Sequence, residues 1–243
     1  MAHQDFGLRV PGVVTCRGFS KEITTPTRQR ELPSRNVTLM INFEAPLAVS
    51  GRTGGSFVAG LQSGPQFVER SGRQHGIHLE LAPLAAHAIL GVPMHELAGE
   101  MVDLSELLGP LTERLYGEAT WQSRLALLRT TLLGLLDQGV RPSPVVLQCW
   151  HLLRAGNGAV PVSELVRQSG WSHRHLIARF REEIGVTPKE LARLMRFEHA
   201  VNLLREPGSA LSTVAAEAGF YDQTHLNREF HRLAGCLPRS VFS

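Results

Sequence analysis

The side chains best suited to chemistry in this chain are its arginines. Of 25 lysines and arginines in 243 residues, only Lys21 and Lys189 are lysines. A guanidinium is a rigid planar fork that matches phosphate oxygens and the outer edge of guanine, so this charge set points to an anionic partner. The excess is local. Residues 143–243 hold 12 basic against 9 acidic side chains, whereas residues 1–142 are balanced at 13 each. Catalytic spacings fail one after another. His95-Glu96-Leu97-Ala98-Gly99 starts like a zinc-peptidase helix, but Gly99 stands where the second histidine is required. The Gly51–Gly55 loop has no lysine after it and no Gly-Lys pair occurs anywhere, which excludes a P-loop, and no Gly-x-Ser-x-Gly elbow is present. Cys16, Cys149 and Cys236 are odd in number and far apart, which fits a reducing compartment. Cys149, beside Trp150 in an apolar run, reads as a buried small hydrophobe.

A metal centre needs convergent ligands, and His75, His78, Glu80, His87 and His95 are the one crowded set. On a strand, His78 and Glu80 share the face opposite Ile77, Leu79 and Leu81, which puts the pair on the solvent side if that apolar face is the core. Surface or hydrogen-bonded histidines are the expectation, with no metal and no cofactor.

These side chains must be held by a sizeable fold. A hydrophobic content of 43% with 19% charged residues rules out a disordered tail and suits about two domains. The expected fold class is α+β, with a β-rich N-terminal domain closed by a helical hairpin, followed by an all-α domain. Period-two patterns at Val37–Phe43 and Ile77–Leu81 predict strands, with Phe57–Leu61 and Gln66–Glu69 as shorter ones. Glycine-rich turns are expected at Gly51–Gly55 and Gly72–Gly76. From Pro83 the period changes to that of helices, over Leu84–Leu90, Leu111–Glu118 and Trp121–Asp137. The last carries a leucine stripe, Leu125 to Leu136, suited to its own β-domain or to a second subunit. Gln138–Pro144, with glycine and two prolines, reads as the linker. The division is therefore 1–137, 138–144 and 145–243.

Beyond the linker the pattern is one of short helices: Val145–Ala155, Ser163–Ser169, His173–Ile184, one opening at Thr187-Pro188-Lys189-Glu190 and running to Leu204, Leu211–Ala218 and Asp222–Leu233. Ser172 is a natural N-cap, Thr187 and Glu190 form a capping box around Pro188, and Pro207 with Gly208 ends the long helix. Two stretches repeat: Leu176, Phe180, Gly185 and Pro188 recur 50 positions later as Leu226, Phe230, Gly235 and Pro238. Upstream the register slips by one, Gly170-Trp171 matching Gly219-Phe220, so the second turn has one extra residue. Each copy reads as a helix-turn-helix, whose second helix buries one stripe and shows the other to DNA. Leu176, Phe180 and Ile184 fall inward while Arg174, Ala178 and Arg181 point away. In the second copy Leu226, Phe230 and Leu233 face inward, with Thr224, Arg228 and His231 outward. Trp171 and Phe220 are expected in the core. The helix from Pro188 could hold the two reading helices about 34 Å apart, one turn of DNA.

The run LVRQSGWSHRHLIARFREEIGVTPKELARLMRFEHAVNLL, with the later LSTVAAEAGFYDQTHLNREFHRLAGCLP, resembles the DNA-binding domain of the AraC family of bacterial transcription regulators. The resemblance covers about 100 residues. It implies base-reading positions at Arg174, Ile177 and Ala178 in the first helix and at Gln223, Thr224, Asn227 and Arg228 in the second, with Ser172 and Arg181 beside them. Ile177 and Ala178 can offer only apolar contact with a thymine methyl, so direct readout by the first helix rests on Arg174, with Arg181. FVAGLQSG and LAPLAAHAILGVPMHEL are similar to a sensor domain that precedes this module in some members. The family implies double-stranded DNA as partner, with RNA polymerase, a small-molecule effector and a second copy as further partners to test. No secretory leader is read in Met1–Gly12, and no uncharged apolar stretch approaches about 20 residues, so a soluble cytoplasmic protein is expected. The rival reading is an enzyme or sensor with a metal in its N-terminal barrel, targeted by the DNA-binding part.

Overall fold

The computed structural model describes residues 3–206 and 208–242, so Met1, Ala2, Ser243 and Pro207, which the sequence reading expects to end the long helix, lie outside the described residues. Eight strands form one antiparallel sheet: β1 (His3–Asp5), β2 (Val13–Glu31), β3 (Val37–Asn42), β4 (Leu47–Val49), β5 (Arg52–Gly54), β6 (Phe57–Ala59), β7 (Gln66–Leu81) and β8 (Met101–Asp103). The order is β1-β2-β7-β3-β6-β8, with β4 between β5 and β7. The long ribbon of β2 on β7 is its spine, with Cys16 opposite Leu79 and Lys21 opposite Gln74; β3 lines the other side of β7, with Leu39 opposite Leu79.

Strand alternation sorts the side chains onto two faces. Leu39, Ile41, Val58, Ile77, Leu79 and Leu81 are fully buried on one face against helices, in a core that continues through the C-terminal helices as far as Phe230 and Val241. Met40, Leu47 and Phe57 form a second, smaller cluster on the other face, joined by Phe19, Val49, Ala59 and Met101. The sheet curls around this second face into a barrel-like wall.

Two sequence expectations change here. Gly72–Gly76 is not a turn, because the Gln66 and Ile77 segments are one strand. Gly72 has φ +67° beside the register shift between Ile23 and Thr27, a bulge where a left-handed residue is needed. At Gly76 a Cβ would collide with the Ile41 carbonyl oxygen, so the glycine serves close strand packing. The second change is β2, whose polar half from Thr24 to Arg30 has no apolar alternation to predict it. Its Pro26 falls within the register shift, where no ladder donor is required.

Around the sheet lie α1 (Pro83–Leu90), a 3₁₀ turn (Met94–Glu96), α2 (Leu104–Leu108), α3 (Leu111–Tyr116) and α4 (Trp121–Gln138). Thr120 and Ser123 cap α4 reciprocally. Leu128 and Leu132 of its stripe are fully buried and α4 packs on α1, so the stripe faces its own chain. The C-terminal helices are α5 (Pro144–Ala155), α6 (Val162–Ser169), α7 (His173–Ile184), α8 (Pro188–Leu203), α9 (Leu211–Glu217) and α10 (Gln223–Ala234), then a 3₁₀ turn at Pro238–Ser240. The stretch between α4 and α5 is pinned: the Ser143 backbone N–H donates to Glu183 Oε2 on α7 at 2.9 Å. No helix among the described residues is long and apolar enough to cross a membrane.

Candidate nucleic-acid interface

The 50-residue repeat becomes two matching helix starts. Ser172 Oγ accepts from the His175 backbone N–H at 3.2 Å, and Asp222 Oδ1 accepts from that of His225 at 2.7 Å. Each cap satisfies one of the free donors of a helix N-terminus and leaves the others toward solvent. The same histidines brace the preceding turns: His175 meets Trp171 edge-on at 4.4 Å, and His225 meets Phe220 at 5.3 Å. His175 and His225 obey the same 50-residue spacing as the rest of the repeat. Phe220 is buried as expected, whereas Trp171 is only half-buried against the core.

Leu176, Phe180 and Ile184 of α7, and Leu226, Phe230 and Leu233 of α10, are buried, as the helical spacing requires. Helix α8 ties the two units together. Its start is fixed by the capping box: Thr187 N–H donates to Glu190 Oε2 at 2.8 Å, and Glu190 N–H to Thr187 Oγ1 at 3.2 Å. Phe197 packs on Phe230 with ring centroids 4.8 Å apart, and Arg193 grips Glu229 of α10 with Nε at 2.9 Å and Nη2 at 3.3 Å. Arg179 is spent within α7, its Nη2 donating to the buried Glu183 at 2.6 Å.

The structure leaves Ser172, Arg174, Ala178 and Arg181, and Gln223, Thr224 and Arg228, exposed, while Ile177 and Asn227 are half-buried. Asn227 Oδ1 is buried and has no partner among the described residues. Arg181 differs from Arg174 in its surroundings: it lines a crevice of about 330 Å³ with Glu190 and Arg232, facing His95 and Gln62 of the β-rich half. Glu190 is held below the usual carboxylate range: burial raises it, and the Thr187 hydrogen bonds and the charge of Arg181 outweigh that rise. Sequence reasoning missed Tyr221. It is the extra residue of the second turn, stands directly before the α10 cap and is 94% exposed. Only the one-residue slip in the repeat could have flagged it.

A second candidate site lies in the curl of the sheet, a cavity of about 310 Å³. Its lining mixes apolar Met40, Leu47, Phe57 and Val68 with polar Arg17, Lys21, Gln74, His78 and Glu80. His78 and Glu80 do lie opposite the core, but their face is this cavity wall and not open surface. Glu80 Oε2 accepts from Asn36 Nδ2 at 3.1 Å. Gln74, 2% exposed, donates to the Ser71 carbonyl at 2.8 Å, and its Oε1 has no partner among the described residues. The other candidate metal ligands are scattered. His75 sits on Arg124 at 3.0 Å, His87 Nδ1 lies 3.0 Å from the Val92 carbonyl oxygen, and His95 is in the crevice. No group of three or more His, Cys, Asp or Glu side chains converges among the described residues. Burial pushes the Cys16 thiol up to about 12, with Asp5 adding to it, and burial also raises Cys149.

Paired capped helices, each with one buried stripe and one exposed polar stripe, joined by a helix that grips the second of them, define a tandem helix-turn-helix DNA-binding module. Residues 165–243 match the profile of a helix-turn-helix domain. The HTH-type transcriptional activator RhaS of Shigella boydii is 30% identical over 74 residues, 30% of this chain and 27% of RhaS. The uncharacterized HTH-type transcriptional regulator YbfI of Bacillus subtilis is 34% identical over 67 residues, 28% of this chain and 24% of that protein. The chain thus spans about a quarter of the length of these relatives, which are named as regulators and not as enzymes. A structure of ToxT from Vibrio cholerae shares the whole fold, with a TM-score of 0.52 at 10% identity over 93% of this chain and 97% of that one. ToxT with an unsaturated fatty acid bound matches at a TM-score of 0.50 and 9% identity, over 93% and 94% of the two chains.

Proposed function

We propose that this chain is a cytoplasmic, sequence-specific double-stranded DNA-binding transcription regulator, with residues 145–243 reading DNA and residues 1–137 modulating them across the 138–144 linker. The observation that carries this reading is the pair of reading helices α7 and α10, each capped by a side-chain oxygen at the same position of the repeat, with α10 held by α8. Affinity comes from arginines and helix N-termini at phosphates, and specificity from Arg174, Gln223, Thr224 and Arg228. Ile177 and Ala178 add apolar contacts to thymine, and Ser172 and Asn227 flank the reading faces. Arg181, turned toward the crevice, serves phosphate or interdomain contact more than base reading. One chain carries both helices, so one copy suffices for a bipartite site.

The cavity of the β-rich half is the effector site in this reading. A lining that combines apolar side chains with Arg17 and Lys21 suits a small amphipathic molecule, and the Gln74 oxygen offers an acceptor to it. The fatty acid found in ToxT, a protein of the same fold, is of that chemical kind. The test is selection of bound sequences from a random duplex pool, followed by affinity for the winner against salt. A motif with two half-elements about one helical turn apart, and a log-log slope reporting several phosphate contacts, is expected. Recovery of no motif would overturn the reading.

A further inference from the structure

The five residues Leu32–Asn36 that join β2 to β3 form a strap with two working sides. On one side Leu32, Pro33, Ser34 and Asn36 line the cavity, and Asn36 holds Glu80, another of its lining residues, at 3.1 Å. On the other side Arg35, between two of these cavity residues, reaches the C-terminal helices. Its backbone N–H donates to Glu198 Oε1 at 2.7 Å, and its guanidinium Nε lies 3.2 Å from Glu198 Oε2. Ser34 also hydrogen-bonds that carboxylate. Both ends of the contact are largely sheltered, with side chains 31% and 21% exposed. Glu198 lies on α8 directly after Phe197, the residue packed on Phe230 of α10. Asn36 also ties the strap to itself, its N–H donating to Ser34 Oγ at 3.1 Å. A shift of Asn36 therefore cannot be absorbed without moving Ser34 and Arg35.

We propose that the Leu32–Asn36 strap couples occupancy of the barrel cavity to the spacing of the two reading helices, through the Arg35–Glu198 contact with α8. The inference rests on the reading of the cavity as an effector site and of α7 and α10 as DNA-binding helices. A ligand that competes with Asn36 for Glu80, or presses on Leu32 and Pro33, draws the strap from α8 or seats it more firmly. The DNA then responds to the ligand, and by linkage the ligand responds to the DNA by the same factor. Two carboxylates, Glu80 and Glu198, lie on either side of the strap and repel through it. A ligand donor or cation at Glu80 lowers that repulsion and favours the closed strap.

Cavity occupancy can be imposed without knowing the natural ligand. Ala59, small and half-buried on the cavity wall, is replaced in Ala59→Cys on a Cys236→Ser background, and the full-length protein is labelled with N-benzylmaleimide. Affinity for the selected duplex is read by fluorescence anisotropy with and without the label. Labelling is expected to shift the Kd by about fivefold or more, and the shift to fall below about twofold when Glu198→Ala, which removes the acceptor of both Arg35 contacts, or Arg35→Ala, which removes the guanidinium, is added. Both strap variants are made so that one that fails to fold, judged by circular dichroism, does not decide the outcome. An unchanged Kd on labelling, or a full shift that survives loss of the Arg35–Glu198 contact, overturns the strap. Absence of specific duplex binding in the unlabelled parent overturns the DNA-binding reading instead.

Discussion

Replacing Glu229 by glutamine tests whether α8 holds α10 through charge as well as through Phe197. The carboxylate takes two guanidinium N–H groups of Arg193 at 2.9 and 3.3 Å, and the two side chains are 16% and 15% exposed. Arg196, whose guanidinium burial holds below its usual value, is also stabilised in its charged form by Glu229 and opposed by Arg193. Glu229→Gln leaves those two half-sheltered cations facing each other. An exposed pair contributes about 0–1 kcal/mol, and breaking a fully buried one costs about 3–5 kcal/mol. At this intermediate exposure, with two good hydrogen bonds, the loss should be about 2 kcal/mol. In a chain of this size that lowers the melting temperature by roughly 4–8 °C. Urea unfolding followed by circular dichroism measures it. Removing both partners, as Arg193→Met with Glu229→Leu, should restore most of the stability, because the desolvation cost goes with the pair. A single variant within about 0.5 kcal/mol of the parent, or a double variant as unstable as the single, would refute the reasoning.

Three further outcomes are expected. Arg228→Ala and Arg174→Ala should each weaken binding to the selected duplex by about 1–3 kcal/mol and relax preference at one base pair, while their urea midpoints stay at the parent value; uniform binding to all sequences at parent affinity would place the reading faces elsewhere. Tyr221→Phe should leave stability within about 0.5 kcal/mol, because the ring is almost wholly exposed. If the phenol donates to a phosphate, the variant loses affinity equally for every sequence, which competition with nonspecific duplex would show. His75 is held below its ordinary 6.5 by burial first and then by Arg124 and Arg73. Its stabilising effect is therefore complete above pH 6.5 and declines as pH falls toward the lowered folded value, since the unfolded chain takes the proton first. The stability gap between the parent and His75→Gln should shrink from pH 7.5 to 5.5, and a constant gap would contradict this.

What could be read in advance depended on whether a feature has a local cause. Ser172, Thr187 and Glu190 act within four residues of themselves, so the caps of α7 and α8 were legible from residue types alone. So were the inward stripes, because helical spacing decides which side of α7 or α10 an apolar residue takes. The β-rich half obeys partners distant in sequence. Thr24–Arg30 is a strand because β7 offers it a ladder, and Gly72 and Gly76 sit inside that ladder because a bulge and the Ile41 carbonyl demand residues without a Cβ. Glycines at a turn and glycines at a bulge look alike until the pairing is known. The placement of His78 and Glu80 followed the same logic: alternation assigned their face correctly, and only the curl of the sheet turns that face into a cavity. Arg35 and Glu198, separated by 163 positions, carry no local signal at all. Their meeting depends on how the two halves dock, and docking is also where a signal from one half must cross to the other.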